Sequence, residues 1–505
     1  MKTATYLLLL ILSTVSLHQV KANNLQIDSV SYDATTGELS FDISWENAWR
    51  LTNEYADAVW VFAKYLNANS AQWQPVQFEF TSAISFGAVQ VFPERDGIYF
   101  LLNSFTSGQV SVPPTRCTVK IDESSASKFL NPSFKVFGVE MVFIASGPFY
   151  LGDGSDDTFF VSEADEISSV RIESEDELVT TVIDPVSYDV SPITFDANYP
   201  KGYDPFFMMK YEVTQGQYVD FLNAQTLERQ RSLVPSTPGK KYVMNFFGDD
   251  PPAGSTPPDF NGITVDSAKR NQNGSLRIVH DLNNNGIYNE EDDGANLACN
   301  QVYTLYMAAY LDWAHMRPMT ILEYEKACRG FDTSVPGEYA WGTSEFSPVT
   351  NITDRGTSRE IATNTGFGLS NLKTDLGPMR VGFAAAEESS RISSGGSFFG
   401  VQNLSDNLAE YVVYSVPSGG TISLGADFQQ GDGILTDSVY LQNHLFTLKG
   451  GSFYSLPTFD LKADTTTFEI FIRPTVSGNQ WIPSAFTILN GFEQYTGFRG
   501  VRTIP

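Results

Sequence analysis

Apolar and polar residues alternate with a period of two along the N-terminal part of the chain. The alternation is clearest between Leu39 and Trp45. Further short strand-like runs lie at 59–65, 76–80, 89–92 and 98–102. Such alternation is typical of β-strands that bury one face. Because no helical period separates the runs, the sequence predicts an all-β, Ig-like sandwich over residues 23–130.

A stretch of small polar residues, Ser124-Ser125-Ala126-Ser127, follows these strands. Small polar residues cannot hold a hydrophobic core, so the stretch predicts a linker. Beyond it, the pattern changes to a few helices within long irregular segments. The sequence therefore divides into two regions, residues 23–130 and residues 131–505.

Three helices are predicted in the second region. One begins at Thr214, whose side chain can cap the first turn while Gln217 reaches back to it. Another is predicted over residues 304–315. The third begins with a capping box at Thr320 and ends at Gly330, because glycine readily takes a left-handed backbone conformation. So few helices in so long a region predict an α+β domain with much irregular structure.

The N-terminus has the features of a secretory signal. Lys2 precedes an apolar stretch from Tyr6 to Val15, and Val20-Lys21-Ala22 offers a cleavage site. The stretch is shorter than the ~20 apolar residues that span a bilayer, and no comparable run follows. The sequence therefore predicts a signal peptide at 1–22, no transmembrane segment, and a product that is secreted, periplasmic or attached to the cell surface.

The net charge of the chain argues against some classes of binding partner and favours others. Among 505 residues, 59 are acidic and 32 are lysine or arginine, which gives a formal net charge of -27. Such a surface repels phosphate backbones, so nucleic acid is not expected as a partner. Clustered carboxylates and carbonyls instead suit divalent cations. The alternative is that the acidity only keeps an exported protein soluble.

Cysteines and histidines are scarce. The cysteines are Cys117, Cys299 and Cys328, and the histidines are His18, His280, His315 and His444. Three cysteines cannot form a disulfide scaffold, and whether Cys299 pairs with Cys328 stays open. The histidines lack the spacing of metal ligands, so a multi-histidine metal centre is not expected.

One segment in the second region has the spacing of an EF-hand calcium loop. Oxygen donors fall at positions 1, 3, 5, 7, 9 and 12 of the loop, with Gly286 at the sharp turn. These donors are Asp281, Asn283, Asn285, Ile287 through its carbonyl, Asn289 and Asp292. With only two charged ligands, the expected dissociation constant is about 10⁻⁴ to 10⁻³ M. The alternative is an Asn- and Gly-rich turn that binds no ion.

Several segments after residue 130 arrive in the order of one known family. They are Gly138–Gly147 with Tyr150–Gly152, Glu212–Thr214, Arg317–Gly330, Tyr339–Gly342, Asn403–Tyr411, Lys449–Phe453 and Gly497–Arg502. Together they resemble the sulfatase-modifying-factor family, which includes the formylglycine-generating enzymes. The resemblance covers residues 131–505, with the calcium loop in an insertion near 225–300. It implies a C-type-lectin-like α+β fold with little regular structure.

The resemblance also places the catalytic residues of the family. In formylglycine-generating enzymes, two cysteines just after the Gly-Gly-Ser element bind copper and activate oxygen. The matching positions here hold Ser455 and Asp460. A hydroxyl and a carboxylate do not replace soft sulfur ligands for Cu(I). The resemblance therefore implies a pseudoenzyme that binds no copper and has no formylglycine-generating activity.

A calcium site is implied by the resemblance as well. Family members hold an ion at the element that matches residues 403–410. The corresponding ligands are the side chains of Asn403 and Glu410 and the carbonyls of Asp406 and Leu408. The ion would be structural, ordering loops that bury little apolar surface. The alternative is that these side chains only cap loops.

Three functions stay open at this point. The first is a non-catalytic, calcium-stabilised protein that binds or assembles with a protein or glycan at the bacterial cell surface, as family members in gliding and secretion machineries do. The second is an enzyme of altered chemistry that uses Ser455, Asp460 or Arg473. The third is carbohydrate or protein recognition by the N-terminal sandwich.

Overall fold

The computed structural model describes most of the chain beyond the predicted signal peptide, which lies outside the described residues. These are 24–80, 84–153, 160–161, 169–183, 190–235, 240–245, 250–257, 260–364, 366, 368–371, 376–385, 390–415, 430–435, 445–453, 475–477, 480–482 and 495–504. Strands far outnumber helices among them. The prediction of a mixed fold with few helices is confirmed.

The described N-terminal part of the chain is built from strands. They are β1 (Gln26–Asp33), β2 (Glu38–Ala48), β3 (Asp57–Leu66), β4 (Gln74–Pro75), β5 (Ile84–Phe86), β6 (Val89–Pro93), β7 (Ile98–Leu102) and β8 (Val110–Lys120). The runs predicted at 39–45, 59–65, 89–92 and 98–102 become β2, β3, β6 and β7. The run at 76–80 is different, because there Phe78 forms only an isolated bridge to Ile121.

The rest of the chain alternates short strands with helices. The helices are α1 (Glu123–Ala126), α2 (Gln215–Ala224), α3 (Leu227–Ser232), α4 (Thr304–Trp313), α5 (Ile321–Arg329) and α6 (Arg391–Ser394). The strands up to residue 300 are β9 (Ser133–Ile144), β10 (Phe149–Leu151), β11 (Phe160–Val161), β12 (Val170–Ile172), β13 (Leu178–Ile183), β14 (Val190–Phe195), β15 (Phe206–Met209), β16 (Ile263–Arg270) and β17 (Leu276–His280). The later strands are β18 (Arg317–Pro318), β19 (Ser347–Pro348), β20 (Ile352–Thr353), β21 (Ile361–Ala362), β22 (Leu369–Ser370), β23 (Ala409–Ser415), β24 (Leu445–Lys449), β25 (Thr475–Ser477), β26 (Gln480–Ile482), β27 (Thr496–Gly497) and β28 (Gly500–Thr503).

The predicted helix signals are confirmed. The Thr214 hydroxyl accepts a hydrogen bond from the backbone of Gln217, and the Gln217 side chain accepts one from the backbone of Thr214. The same reciprocal pair caps α5 at Thr320. That helix ends at Gly330, where φ is 71°. The helix predicted at 304–315 is α4, which ends two residues earlier, at Trp313.

One nine-stranded sheet joins the two regions of the chain. Its order is β18-β28-β15-β9-β3-β7-β6-β5, with β4 also paired to β3. Strand β3 pairs with β9 along its whole length, from Asp57 opposite Val142 to Leu66 opposite Ser133. The boundary predicted near residue 130 lies between α1 and β9, and the sheet continues across it.

The stretch that was predicted to be a linker is mostly helical. Asp122 caps α1, because its carboxylate accepts a hydrogen bond from the backbone nitrogen of Ser124 at 2.8 Å. Ser125 is buried, and its hydroxyl accepts a hydrogen bond from the backbone of Gln77 at 3.0 Å. The linker prediction is wrong, because these serines cap and pack a helical turn.

Strand β3 faces two different cores. One face carries Val59, Val61 and Ala63 into the N-terminal core, which lies between this sheet and a second, three-stranded sheet of order β1-β2-β8. The opposite face carries Trp60 and Phe62 into the main core. The N-terminal core also contains Phe41, Trp45, Phe100 and Val119, and the main core contains Phe221, Trp313 and Tyr324.

Within the part of the chain that the structure describes, no helix is long and apolar enough to span a membrane. The longest of these helices, α2 and α4, have 10 residues each.

Candidate functional site

The predicted calcium loop folds as consecutive turns directly after β17. The Asp281 carboxylate accepts a hydrogen bond from the backbone of Gly286 at 3.3 Å. Asn283 accepts one from the backbone of Asn285 at 3.0 Å. Asn285 in turn accepts one from the backbone of Ile287 at 2.7 Å. Gly286 has a φ of 82°, which explains why a residue without a Cβ stands at the sharp turn.

Some of the predicted ligand atoms in this loop already have protein partners. Asp281 is buried, and its second oxygen lies 2.7 Å from the ammonium group of Lys241. The side-chain oxygen of Asn289 accepts a hydrogen bond from the backbone of His280 at 3.0 Å. Ile287, which was expected to offer its carbonyl, has an exposed side chain. The loop therefore has the turns of the predicted motif, but Lys241 neutralises its first carboxylate.

A different set of carboxylates comes together at the end of the loop. Glu290, Asp292 and Asp293 each have one carboxylate oxygen in this group, and the three oxygens lie within 4.8 Å of one another. Asp292 was a predicted ligand, whereas Glu290 and Asp293 were not. Glu290 is at position 10, which the EF-hand template does not use, and Asp293 lies just beyond its twelfth and last position, so the spacing gave no signal for these two residues. We call this group the acidic triad.

The element 403–410 is buried and extensively hydrogen-bonded. The side-chain oxygen of Asn403 accepts a hydrogen bond from the backbone of Gly382 at 2.7 Å. The Asn403 amide donates to the Asp406 carboxylate at 2.9 Å. Both carboxylate oxygens of Glu410 are held by the Arg499 guanidinium, at 2.6 and 2.7 Å. The four predicted ligand residues thus lie in one buried element, and the positive charge that pairs with Glu410 comes from Arg499.

Glu212 contacts the element 403–410, although it was not predicted as a site residue. Its carboxylate accepts hydrogen bonds from the Asn407 amide at 2.6 Å and from the backbone of Leu408 at 3.0 Å. Glu212 comes from the segment just before α2, so only the fold brings it here. Its position in the family motif was the sole signal in the sequence.

The carboxyl groups of this element exceed its positive charge. Glu212, Asp406 and Glu410 are all buried, and Arg499 is the cation that pairs with Glu410. Burial raises the pKa of Asp406 to about 7. Burial also raises the pKa of Glu212, and repulsion from Glu410 raises it further. Among the described residues, however, these three carboxylates do not form a group whose oxygens come within 4.8 Å of one another. An ion in this element would therefore also need its backbone carbonyl oxygens as ligands.

All three cysteines of the chain are free, buried thiols. Burial raises the pKa of Cys117 and of Cys328 to about 12, and it also raises the pKa of Cys299. Cys299 and Cys328, whose pairing was left open, do not form a disulfide. At neutral pH these side chains are thiols rather than thiolates, so they do not fit a copper centre.

Ser455 and Asp460, which were predicted to stand at the positions of the family's catalytic cysteines, lie outside the described residues, as does Arg473. The structure describes the residues just before them. Lys449 at the end of β24 is buried, and its ammonium lies 2.7 Å from the Glu325 carboxylate on α5. Ser452 and Phe453 are buried as well. The Gly-Gly-Ser element thus begins directly after a buried ion pair between Lys449 and Glu325.

A cleft of about 270 Å³ lies between the N-terminal strands and the segment 390–402. Trp49 and Tyr55, from the connection between β2 and β3, form one side. Phe398 and Phe399 also line the cleft, and the Tyr55 and Phe399 rings stack with centroids 6.0 Å apart. Gly400, with a φ of 93°, lies against Trp49 so closely that a Cβ would begin 3.0 Å from the indole.

One residue that lines the cleft, Gln402, has a buried side-chain oxygen. Gln402 is only 8% exposed, and its side-chain oxygen has no hydrogen-bond partner among the described residues. A buried amide oxygen without a donor is destabilising. The aromatic rings that line the cleft can bind a ligand that has an apolar face.

Comparisons with known proteins identify one family. Residues 130–480 match the sulfatase-modifying factor enzyme 1-like domain. No curated protein sequence matches the chain. Among solved structures, that of the group B streptococcus pilus 2b backbone protein aligns at 8% identity over 37% of this chain and 86% of its own length. Its TM-score of 0.11 is too low to support a common fold.

Proposed function

This chain belongs to the family of sulfatase-modifying factor enzyme 1-like domains, and we propose that it is a non-catalytic member of that family. In this proposal, the family region has a C-type-lectin-like fold and the N-terminal strands form an Ig-like sandwich. The features of residues 1–22 support export to the cell surface. There the protein binds or assembles with a protein or a glycan.

The state of the thiols is the observation that carries this proposal. Copper-dependent oxidation of a peptide cysteine needs two accessible thiolates as soft ligands. Cys117, Cys299 and Cys328 are the only cysteines in the sequence, and each is buried with a raised pKa. Ser455 and Asp460 stand at the positions where the family has its copper ligands. This chain therefore has no residues for the family reaction.

Structural calcium is the second part of the proposal. Glu212 and the element 403–410 together bury three carboxyl groups beside the Arg499 guanidinium, and oxygen atoms are the ligands that calcium prefers. A cation that binds only the native state stabilises that state by mass action. The expected role of calcium is thus to hold the scaffold together.

The cleft between the two regions supports a binding role. Its aromatic walls come from both the N-terminal strands and the family region. Neutral sugar rings and peptide segments both have apolar faces that can pack against these rings. Binding at this cleft would use the scaffold without any of the lost chemistry.

Incubation of the purified chain with copper, oxygen and a cysteine-containing peptide tests the proposal. We expect no change in the mass of the peptide beyond that in a protein-free control. A thiol reagent should label none of the three cysteines in the native protein and all three after unfolding in denaturant. Conversion of the peptide cysteine to an aldehyde would overturn the non-catalytic assignment.

A further inference from the structure

The acidic triad has a feature that a solvated acidic loop does not explain. Asp293 is completely buried. One of its carboxylate oxygens accepts a hydrogen bond from the backbone of Glu290 at 2.8 Å. The other oxygen has no hydrogen-bond partner within the described part of the chain. A buried carboxylate oxygen without a partner is costly, unless a ligand completes its surroundings.

The nearby basic residues do not supply the missing charge. Lys241 pairs with Asp281, and Arg359 pairs with Glu291 at 3.3 Å. No lysine or arginine of the described residues forms an ion pair with a member of the triad. Its other contacts are amide donors, from Asn285 to Glu290 at 2.6 Å and from Asn283 to Asp292 at 3.2 Å.

The spacing of the three carboxylates suits one ion. Calcium binds oxygen at about 2.3–2.6 Å, so two ligands on opposite sides of it are about 5 Å apart. The triad oxygens lie within 4.8 Å of one another, so all three can reach a common centre. Asp292 is exposed, which leaves the ion a path from solvent to buried Asp293.

We infer that Glu290, Asp292 and Asp293 bind one divalent cation, with calcium favoured by the all-oxygen ligands. This site deepens the calcium part of the proposed function and rests on it. It differs from the EF-hand-like arrangement in its ligands, because Glu290 and Asp293 replace Asp281, whose charge Lys241 neutralises. The two arrangements share only Asp292.

The site lies where the end of the calcium loop contacts the segment 354–360, so a bound ion would have a structural role. The backbone of Gly294, next to Asp293, donates a hydrogen bond to the Gly356 carbonyl at 3.0 Å. Gly356 also packs against the carbonyl of Asp292. An ion in the triad would therefore fix the end of the loop where it meets the segment 354–360.

Calcium titration of the mature chain, freed of metal by a chelator, tests the inference. The variants are Asp293→Asn, Asp281→Asn and a control, Glu291→Gln, which removes an exposed carboxylate of the same loop. Bound calcium per chain and its dissociation constant are measured by equilibrium dialysis. Asp293→Asn should lose one bound ion, or bind it at least about tenfold more weakly, since affinity follows the number of charged ligands. Glu291→Gln and Asp281→Asn should bind as the parent protein does.

The outcomes separate the site from the wider proposal. If calcium binds but Asp293→Asn keeps the parent stoichiometry and affinity, the triad is not the site. If Asp281→Asn alone abolishes binding, the EF-hand-like arrangement is correct instead. If the parent protein binds no calcium at all, both the site and the calcium part of the proposed function fail. The non-catalytic assignment has its own test in the peptide assay.

Melting curves in chelator show whether each variant folds. Asp293→Asn should melt no lower than the parent protein, because the substitution removes a buried negative charge that has no basic partner.

Discussion

A single lysine at the contact between the two regions holds two buried carboxyl groups. The Lys210 ammonium lies 3.1 Å from the Asp57 carboxylate and 3.7 Å from that of Glu140. Burial raises the pKa of Glu140 to about 7, although Lys210 acts against this shift. One positive charge does not neutralise two buried carboxylates, so Glu140 is the group that takes up a proton.

This arrangement predicts a pH-dependent stability. The pKa of Glu140 is higher in the folded chain than its ordinary value of 4.5. The uptake of a proton by Glu140 therefore stabilises the folded state fully below pH 4.5, and this stabilisation disappears as the pH rises through about 7. Glu140→Gln cannot ionise, so between pH 5 and pH 8 the variant should gain on the order of 2 kcal/mol relative to the parent. Urea unfolding at the two pH values measures this difference.

Glu79→Gln provides the matched control, because Glu79 forms a surface ion pair with Lys120 at 2.8 Å. Its stability relative to the parent should change little between the two pH values. An identical pH dependence in Glu140→Gln and the parent would contradict the assignment of a raised pKa to Glu140.

At the scale of elements, β3 determines how the molecule is held together. All ten of its residues are buried, because neighbouring side chains enter opposite cores. Phe62 packs edge-to-face against Trp313 in the main core, with ring centroids 5.0 Å apart. In the N-terminal core, Phe41 from β2 packs against Phe100 from β7 at 5.9 Å. A strand shared in this way couples the two cores.

Truncation of one aromatic ring in each core tests this coupling. Phe62→Ala and Phe100→Ala should each lower the free energy of unfolding by about 3–5 kcal/mol. Both should shift the same single transition, monitored by circular dichroism and by tryptophan fluorescence. Phe80→Ala is the control, since Phe80 is 81% exposed and its loss should change stability by less than about 0.5 kcal/mol. Two separate transitions, each sensitive to one variant, would show that the cores unfold independently.

Local signals in the sequence predicted much of this structure, and distant contacts explain what was missed. The capping boxes at Thr214 and Thr320 were predictable, because both partners of each lie within one helical turn. Period-two alternation located β2, and a short run of apolar residues located β3, for the same reason. In contrast, Asp57 and Lys210 are 153 residues apart, and no local pattern connects them. The same is true of Glu212 beside the element 403–410.

At the scale of the whole molecule, the N-terminal strands complete the family region. The Trp60 indole donates a hydrogen bond to the Ala314 carbonyl at 2.9 Å. The buried Lys64 ammonium donates to the Trp313 carbonyl at 2.6 Å and to the Gly431 carbonyl at 2.5 Å. Without β3, these carbonyls and one edge of β9 would lose their partners, although the predicted boundary would allow a separation there.

Expression of residues 131–505 alone is therefore expected to give a protein without cooperative unfolding. An unpaired β9 edge and uncovered apolar surface favour aggregation. Residues 23–505 are the control, and both proteins are compared by analytical ultracentrifugation and thermal melting. A monomeric 131–505 fragment that melts in one sharp transition would show that the family region folds without β3.

Burial of the three thiols also determines when this protein can react with oxidants and disulfides in its surroundings. Disulfide exchange needs an accessible thiolate, and the native chain presents none of its three sulfurs in that form. While the chain is still unfolded, Cys117, Cys299 and Cys328 can all react with one another or with other chains. Folding removes them from that chemistry, so a fold that needs no disulfide catalyst also resists oxidative crosslinking once it is complete.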